Sequence, residues 1–213
     1  TPPFTRPDVS WCRMPNGDPK ATWTTCLTPT PGAANSGSTA VGLLSTPTLS
    51  VASGVYPGTQ TVTVTPGAAP IDAGAQLRFT SDGSIPSASS TLVTGPLTVP
   101  SSRTLRVRAF KTGVQASYTA SATYIIDASG RYAGQRIMFL SMSPADKTAW
   151  TSTNQAPSYG WRTGVEMLAP DGSFAFAGEA ATERAGSGGS LNGQKTVPMD
   201  IAFKDATGTT EIN

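Results

Sequence analysis

The sequence predicts an all-β protein: an Ig-like antiparallel β-sandwich flanked by β-rich segments. Three observations lead there. From Leu77 to Ile126, apolar and polar residues alternate strictly, as strands with one buried face require. Asp-Gly, Gly-Pro and Pro-Ser dipeptides punctuate those runs. Gly (22) and Pro (18) are plentiful among 213 residues of which only 13% are charged, a composition of turns and short strands and not of helices.

The first section covers residues 1–36. Trp11-Cys12-Arg13-Met14-Pro15-Asn16-Gly17-Asp18 predicts a strand entering a turn, and Ala21-Thr22-Trp23-Thr24-Thr25-Cys26 its return. Thr28-Pro29-Thr30-Pro31-Gly32-Ala33-Ala34-Asn35 reads as an exit linker. A lone hairpin is marginal in water, so these strands are expected to pack on something else. Cys12 and Cys26 flank the turn, and a closely spaced pair in a Thr/Ser/Gly-rich β protein predicts a disulfide, with two reduced, buried thiols as the alternative. Closing that loop would stabilise the fold by about 3 kcal/mol. A persistent disulfide implies an oxidising compartment, secreted or cell-surface.

The second section covers residues 47–127. Val62 and Val64 alternate with Thr61, Thr63 and Thr65; Leu77 and Phe79 with Arg78 and Thr80; Leu105, Val107 and Ala109 with Arg106 and Arg108. Tyr118, Ala120, Ala122, Tyr124 and Ile126 share one face of a last strand. Each apolar set is expected inside and its polar partners in water. About 80 residues with roughly six or seven such strands is Ig-sized.

The third section covers residues 130–213. Arg136 to Leu140 predicts a strand, Pro144 to Trp150 a helical turn, and Gly164 to Ser173 with Phe174 and Phe176 a hairpin. Gly186-Ser187-Gly188-Gly189-Ser190 predicts a flexible loop, and Met199, Ile201 and Phe203 alternate along a final strand.

Each section resembles a known family. Trp11 through Asp18, Trp23 and Thr30-Pro31-Gly32-Ala33-Ala34-Asn35 resemble the closing strands of lamin-tail-type Ig-like domains of bacterial secreted proteins. Phe79-Thr80-Ser81-Asp82-Gly83-Ser84-Ile85-Pro86, Ser89-Ser90, Gly95-Pro96-Leu97-Thr98-Val99, Leu105 to Phe110 and Ser117 to Tyr124 resemble the Ig-like domain at the C-terminal end of chitobiases and β-hexosaminidases. That resemblance implies a non-catalytic spacer or accessory sandwich, with sugar binding suspected. Val165 with Pro170-Asp171-Gly172, Arg184-Ala185-Gly186 with Ser190, and Lys195 leading to Phe203 resemble the start of the CotH family of atypical kinases. Pro198 and Asp200 stand where that family carries basic residues, and its nucleotide and metal residues would lie beyond Asn213. The two outer resemblances imply domains cut by the ends of the chain, which fits either assembly by β-strand addition or a fragment of a longer polypeptide.

Histidine is absent, which removes the commonest general base and metal ligand and excludes Ser-His-Asp, Cys-His and His-rich zinc sites. A net charge of +2 leaves no field to recruit nucleic acid. No apolar run approaches the roughly 20 residues that span a bilayer. The chain begins at Thr1 with neither Met nor a charged-then-apolar leader, so an export signal is expected to have been removed or never included.

Few residues remain as site candidates. Gly186 to Gly193 lacks the Gly-Lys-Ser/Thr of a phosphate loop and reads as a mobile loop. Asp82-Gly83, Asp171-Gly172, Asn16-Gly17-Asp18 and Asp72 offer oxygen ligands without the spacing of a calcium loop, and read as turns. Arg78, Arg103, Arg106, Arg108 and Lys111 would grip an acidic glycan if clustered, but are expected to form a solvated face. Glu166, Glu179 and Glu183 are the clustered carboxylates, with no aromatic cleft to make them a glycosidase pair. Trp150, Tyr159 and Trp161 are the candidate glycan-binding residues, packing between sections being the alternative, whereas Trp11 and Trp23 are expected to cover the disulfide.

The resulting expectation is a non-catalytic extracellular structural, surface or matrix segment without metal or cofactor. Its expected partners are further copies of itself, as an oligomer or fibre, or a polysaccharide; nucleic acid and membrane insertion are not expected. A carbohydrate-binding accessory module and a fragment of a CotH-type kinase are the rival readings.

Overall fold

The computed structural model describes residues 10–28, 30, 32–35, 42–152, 161–171, 174–184 and 199–202. Among these residues the architecture is all-β with one α-helix. The sequence-predicted Gly186–Ser190 loop, Tyr159 and Phe203 lie outside the described residues.

Strands β1 (Ser10–Arg13) and β2 (Trp23–Cys26) form the expected antiparallel hairpin, with Trp11 opposite Thr25 and Cys12 opposite Thr24. A Cys12–Cys26 disulfide closes it, and both cysteines are buried. Gly17 takes φ +81° in the turn, a conformation open to glycine without strain, and Met14-Pro15 is cis. The Arg13 guanidinium lies 4.7 Å over the Trp23 ring. Asn35 folds the exit segment back, its side-chain amide donating to the Arg13 carbonyl at 3.2 Å and its backbone N–H to Asn16 Oδ1 at 3.1 Å.

The sandwich contains β3 (Thr48–Leu49), β4 (Gly54–Tyr56), β5 (Gln60–Val62), β6 (Val64–Thr65), β7 (Gln76–Thr80), β8 (Thr91–Leu92), β9 (Leu97–Val99), β10 (Arg103–Phe110) and β11 (Ala120–Ile126). One layer is a five-stranded sheet in the order β4-β11-β10-β7-β8. The other consists of the antiparallel pairs β3-β6 and β5-β9. Between them Val62 and Val99 pack with Leu105, Ala122 and Tyr124, all buried, as the alternation requires. Tyr124 is fully buried, and its hydroxyl donates to the Val51 carbonyl at 2.9 Å. Burial raises the pKa of that hydroxyl, so it stays neutral and keeps the bond. A second cluster of Leu44, Ala109 and Val114 extends the core to one end.

One pairing departs from the antiparallel expectation. β4 runs parallel to β11, with Gly54 opposite Tyr124 and Tyr56 opposite Ile126. Parallel neighbours need a long crossover, which the rest of the sandwich supplies here. The Asp127 N–H continues that edge by donating to the Tyr56 carbonyl at 2.8 Å.

A second sheet follows, in the order β12 (Ile137–Ser141), β13 (Trp161–Leu168), β14 (Phe174–Arg184) and β15 (Met199–Ala202), every pairing antiparallel. Helix α1 (Pro144–Ser152) lies between β12 and β13, where the sequence predicts a helical turn. Ser143 caps it: its hydroxyl accepts the Asp146 N–H at 3.0 Å and donates to the Asp146 carboxylate at 2.7 Å. Pro144 occupies the first turn, where its missing N–H costs nothing.

Asp72 and Asp82, two of the aspartates weighed as oxygen ligands, hold turns, and Asp127 does the same. Asp72 is buried; the hydroxyl and backbone N–H of Ser45 hold its carboxyl below the usual range, helped by the Ala69 N–H at 3.0 Å. Asp82 and Asp127 each accept from the hydroxyl and backbone N–H of the serine two residues on, Ser84 and Ser129, which lowers both pKa values. Carboxylates depressed in the native state stabilise it above their unfolded pKa of about 3.9 and lose that contribution as pH falls through the lower folded values. Thermal midpoints measured from neutral pH into acid will therefore fall below about pH 4. In Asp72→Asn the neutral-pH midpoint will be lower and the acid decline shallower; an unchanged acid decline would contradict this assignment.

Candidate functional site

The alternation of β10 predicts that Arg106 and Arg108 meet water. They do not: all five residues from Leu105 to Ala109 are buried, and Arg106 and Arg108 keep only 3% and 8% of their surface exposed. The second sheet covers the outer face of the sandwich where the sequence expects solvent. Arg106 Nη2 donates to Ser141 Oγ at 2.8 Å and to the Ser141 carbonyl at 3.3 Å, at the end of β12. Arg108 Nε donates to the Ser117 carbonyl at 2.9 Å and its guanidinium lies 5.4 Å over Phe110. The expected solvated basic face is thus partly an interior joint.

Opposite Arg106, β13 presents Glu166 to the sandwich. This carboxylate is 4% exposed and held by donors from one strand, β11, and from the loop before β4. Oε1 accepts from the Ser121 hydroxyl at 2.9 Å; Oε2 accepts from the Ser53 hydroxyl at 2.6 Å and the Thr123 N–H at 3.0 Å. Ionised acceptors make the stronger hydrogen bonds, and a buried carboxylate needs several of them to offset lost hydration. Glu166 was a carboxylate to weigh as an acid or base; here protein donors surround it. Glu179 and Glu183 lie on β14 opposite Gly164 and Asp200 in the ladder.

Two glycines permit the joint. A β-carbon at Gly164, opposite Ser141, would fall on Arg106 Nη2. One at Gly83 would fall on the Met142 carbonyl oxygen, and Gly83 also holds φ +88°. The Asp82-Gly83 turn is therefore both a turn and the point of close approach between the sandwich and the segment leaving β12. Sequence reasoning missed Ser53, Ser141 and the structural use of Arg106 and Glu166. The available signal was Gly164 inside a strand, since an interior glycine often marks the close approach of another group.

Beside this joint lies a cleft of about 430 Å³. Asp82 and Gly83 from the turn after β7, Arg103 and Thr104 from β10, and Lys147 and Trp150 from α1 line it. Of the three candidate glycan-binding residues, Trp150 lies in this cleft. Tyr159 is outside the described residues, and Trp161 opens β13 with its side chain outside them. A larger cleft of about 530 Å³ sits by Gln76, Arg78, Phe110 and Lys111. Its polar groups serve the fold: Arg78 bonds the Ser90 carbonyl and Gln76 Oε1, and Lys111 Nζ the Ile71 carbonyl at 3.0 Å. Among the described residues, no group of three or more Asp, Glu, Cys or His converges on a point where it could hold a metal ion.

The fold and joint define a β-sandwich whose outer face carries a second antiparallel sheet. A family model described as the chitobiase/beta-hexosaminidase C-terminal domain matches residues 51–122, from the approach to β4 through the first half of β11. This covers most of the sandwich core, though not Tyr124 or Leu44, and three of the residues that grip Glu166 or Ser141, namely Ser53, Arg106 and Ser121. Neither a curated protein nor a solved structure matches the chain.

Removing the carboxylate will show what the joint contributes. Glu166→Ala, which removes the acceptor of the Ser53 and Ser121 hydroxyls and leaves the Thr123 N–H with Ser53 Oγ alone, is expected to lower unfolding free energy by about 3 kcal/mol in urea titrations, and Glu166→Gln by roughly half as much. A Glu166→Ala chain within about 0.5 kcal/mol of wild type would show that the joint is not formed.

Proposed function

We propose that this chain is a non-catalytic, extracellular structural segment, a stiff β-spacer of a surface or matrix protein. The observation that carries this reading is the joint. Polar positions on the outer face of the sandwich, where a binding module would meet its ligand, are given over to fastening the next sheet. Ser53, Arg106, Ser121 and Thr123 face Ser141 and Glu166, so sandwich and sheet behave as one piece. The disulfide favours an oxidising compartment. The family match favours the same setting, since that domain is described from glycan-processing proteins. No helix among the described residues is long and apolar enough to cross a membrane.

Assembly with further copies belongs to the same reading. β8 and β12 are sheet edges among the described residues, and they carry Leu92 and Met138, the two large apolar side chains most open to solvent. An edge offers unpaired N–H and C=O groups to a neighbour's strand, and exposed apolar residues there favour such addition.

Light scattering on size-exclusion fractions, together with electron microscopy, tests this reading. Oligomers or fibres that grow with concentration are expected, and Met138→Lys is expected to suppress them. A monomer at every concentration would contradict assembly. Hydrolysis of chito-oligosaccharides, or phosphate transfer from ATP, would contradict the non-catalytic role.

A further inference from the structure

Tension along the chain has a definite path through the sandwich. The chain enters along residues 42–56 and leaves along residues 115–127. Among the described residues, these two stretches make the sandwich's only parallel contacts. Leu43 stands parallel to Gln115; the Leu44 N–H donates to the Gln115 carbonyl at 3.0 Å and the Gln115 N–H to the Gly42 carbonyl at 2.8 Å. Further on, β4 runs parallel to β11, with Gly54 opposite Tyr124, Val55 opposite Ile125 and Tyr56 opposite Ile126. The remaining strand pairs of the sandwich are antiparallel.

The sense of pairing decides how a pull is borne. A force along the chain draws the entering segment backward and the leaving segment forward. In a parallel pair those pulls oppose each other along one line. The strands can then part only by sliding, and every bond between them is stretched at once. In an antiparallel pair both pulls would act at one end, and the bonds would break one after another. Forced opening is governed by the unfolding barrier, which is higher when many bonds must yield together.

Side chains cross between the same two segments. The Tyr124 hydroxyl donates to the Val51 carbonyl at 2.9 Å, and Ser53 Oγ accepts the Thr123 N–H at 3.0 Å. Glu166 Oε2 accepts from the Ser53 hydroxyl at 2.6 Å and from the Thr123 N–H at 3.0 Å, so one carboxylate of the second sheet bridges both segments. The Asp127 N–H closes the far end on the Tyr56 carbonyl at 2.8 Å. A slide of one residue, about 3.3 Å, would break all of them.

We propose that the sandwich is a tension-bearing module. The parallel contacts between residues 42–56 and residues 115–127 form a shear clamp, and the bridge of Ser53, Thr123 and Glu166 locks it. This rests on the structural role above and deepens it, because a spacer that is never pulled would satisfy that role with either sense of pairing.

Single-molecule pulling on the full chain tests the proposal. DNA handles are joined to azido side chains introduced at exposed positions, which leaves the Cys12–Cys26 disulfide alone. Handles at Ala34 and Ala128 pull the two segments past each other. Handles at Thr59 and Ala128, both just beyond the same end of the β4–β11 pair, open it from that end. At equal loading rate the first geometry is expected to need roughly twofold or more the force of the second, with a released length matching the residues between the handles. Ser53→Ala removes the Ser53 hydroxyl from the bridge, keeps the parallel ladder, and is expected to lower the ratio of the two forces. The comparison of geometries needs no substitution inside the clamp, so it stands whether or not Ser53→Ala folds. Equal forces in the two geometries would overturn the proposal, as would a ratio unchanged in Ser53→Ala. Failure of the non-catalytic structural role is distinguishable from both, since it shows as hydrolysis or phosphate transfer.

Discussion

Burying a carboxylate between two sheets imposes demands that organise much of this protein around it. Glu166 gives up its hydration and must recover the loss from fixed donors, which here are the hydroxyls of Ser53 and Ser121 and the N–H of Thr123. Those donors come from the loop before β4 and from β11, strands that pair in parallel at the sheet edge. The register of that pairing, the position of Ser53 and the approach of β13 are therefore linked. Arg106 adds a second fastening at Ser141, and the absence of a side chain at Gly164 gives its guanidinium room. A polar joint of this kind has narrow geometry. Charged and hydrogen-bonded groups out of register would be left unsatisfied, whereas an apolar interface can slide at little cost.

The joint also explains the location of the cleft. It draws the end of β12 against the Asp82-Gly83 turn, and the chain passes Met142 directly into the capped start of α1. The helix is thereby held beside the first residues of β10. Lys147 and Trp150 come to share a cleft with Arg103 although more than forty positions separate them in the chain. Scaffold and cleft depend on the same contacts in different ways: the joint uses the middle of β10, the cleft its beginning.

Much of the sandwich was legible in the sequence because its alternation has a single cause. Leu105, Val107 and Ala109, like Ala122 and Tyr124, point to the core because their neighbours in sequence cannot. Turn chemistry was equally plain at Asp82-Gly83 and Asn16-Gly17, where the conformations found suit glycine. Alternation was misleading about the opposite face. A polar residue on a strand reads as exposed, yet Arg106 and Thr123 are buried, because the surface that covers them is polar as well. Periodicity records which face is apolar and is silent about what lies on the other. The parallel β4–β11 edge was invisible for a related reason: pairing between remote segments leaves no local pattern. Trp150 was recognisable as an aromatic without an obvious core. Its companions Arg103 and Lys147 became apparent only once the joint had placed helix and strand together.

The central claim is that sandwich and second sheet form one cooperative unit through Glu166 and Arg106. Native-state hydrogen exchange followed by mass spectrometry tests it directly, by comparing peptides from β10 and β11 with peptides from β12 and β13. The account predicts that both sets open together, with closely similar protection and a common dependence on denaturant. Full exchange of residues 137–168 while Val107 and Tyr124 remain protected would contradict it.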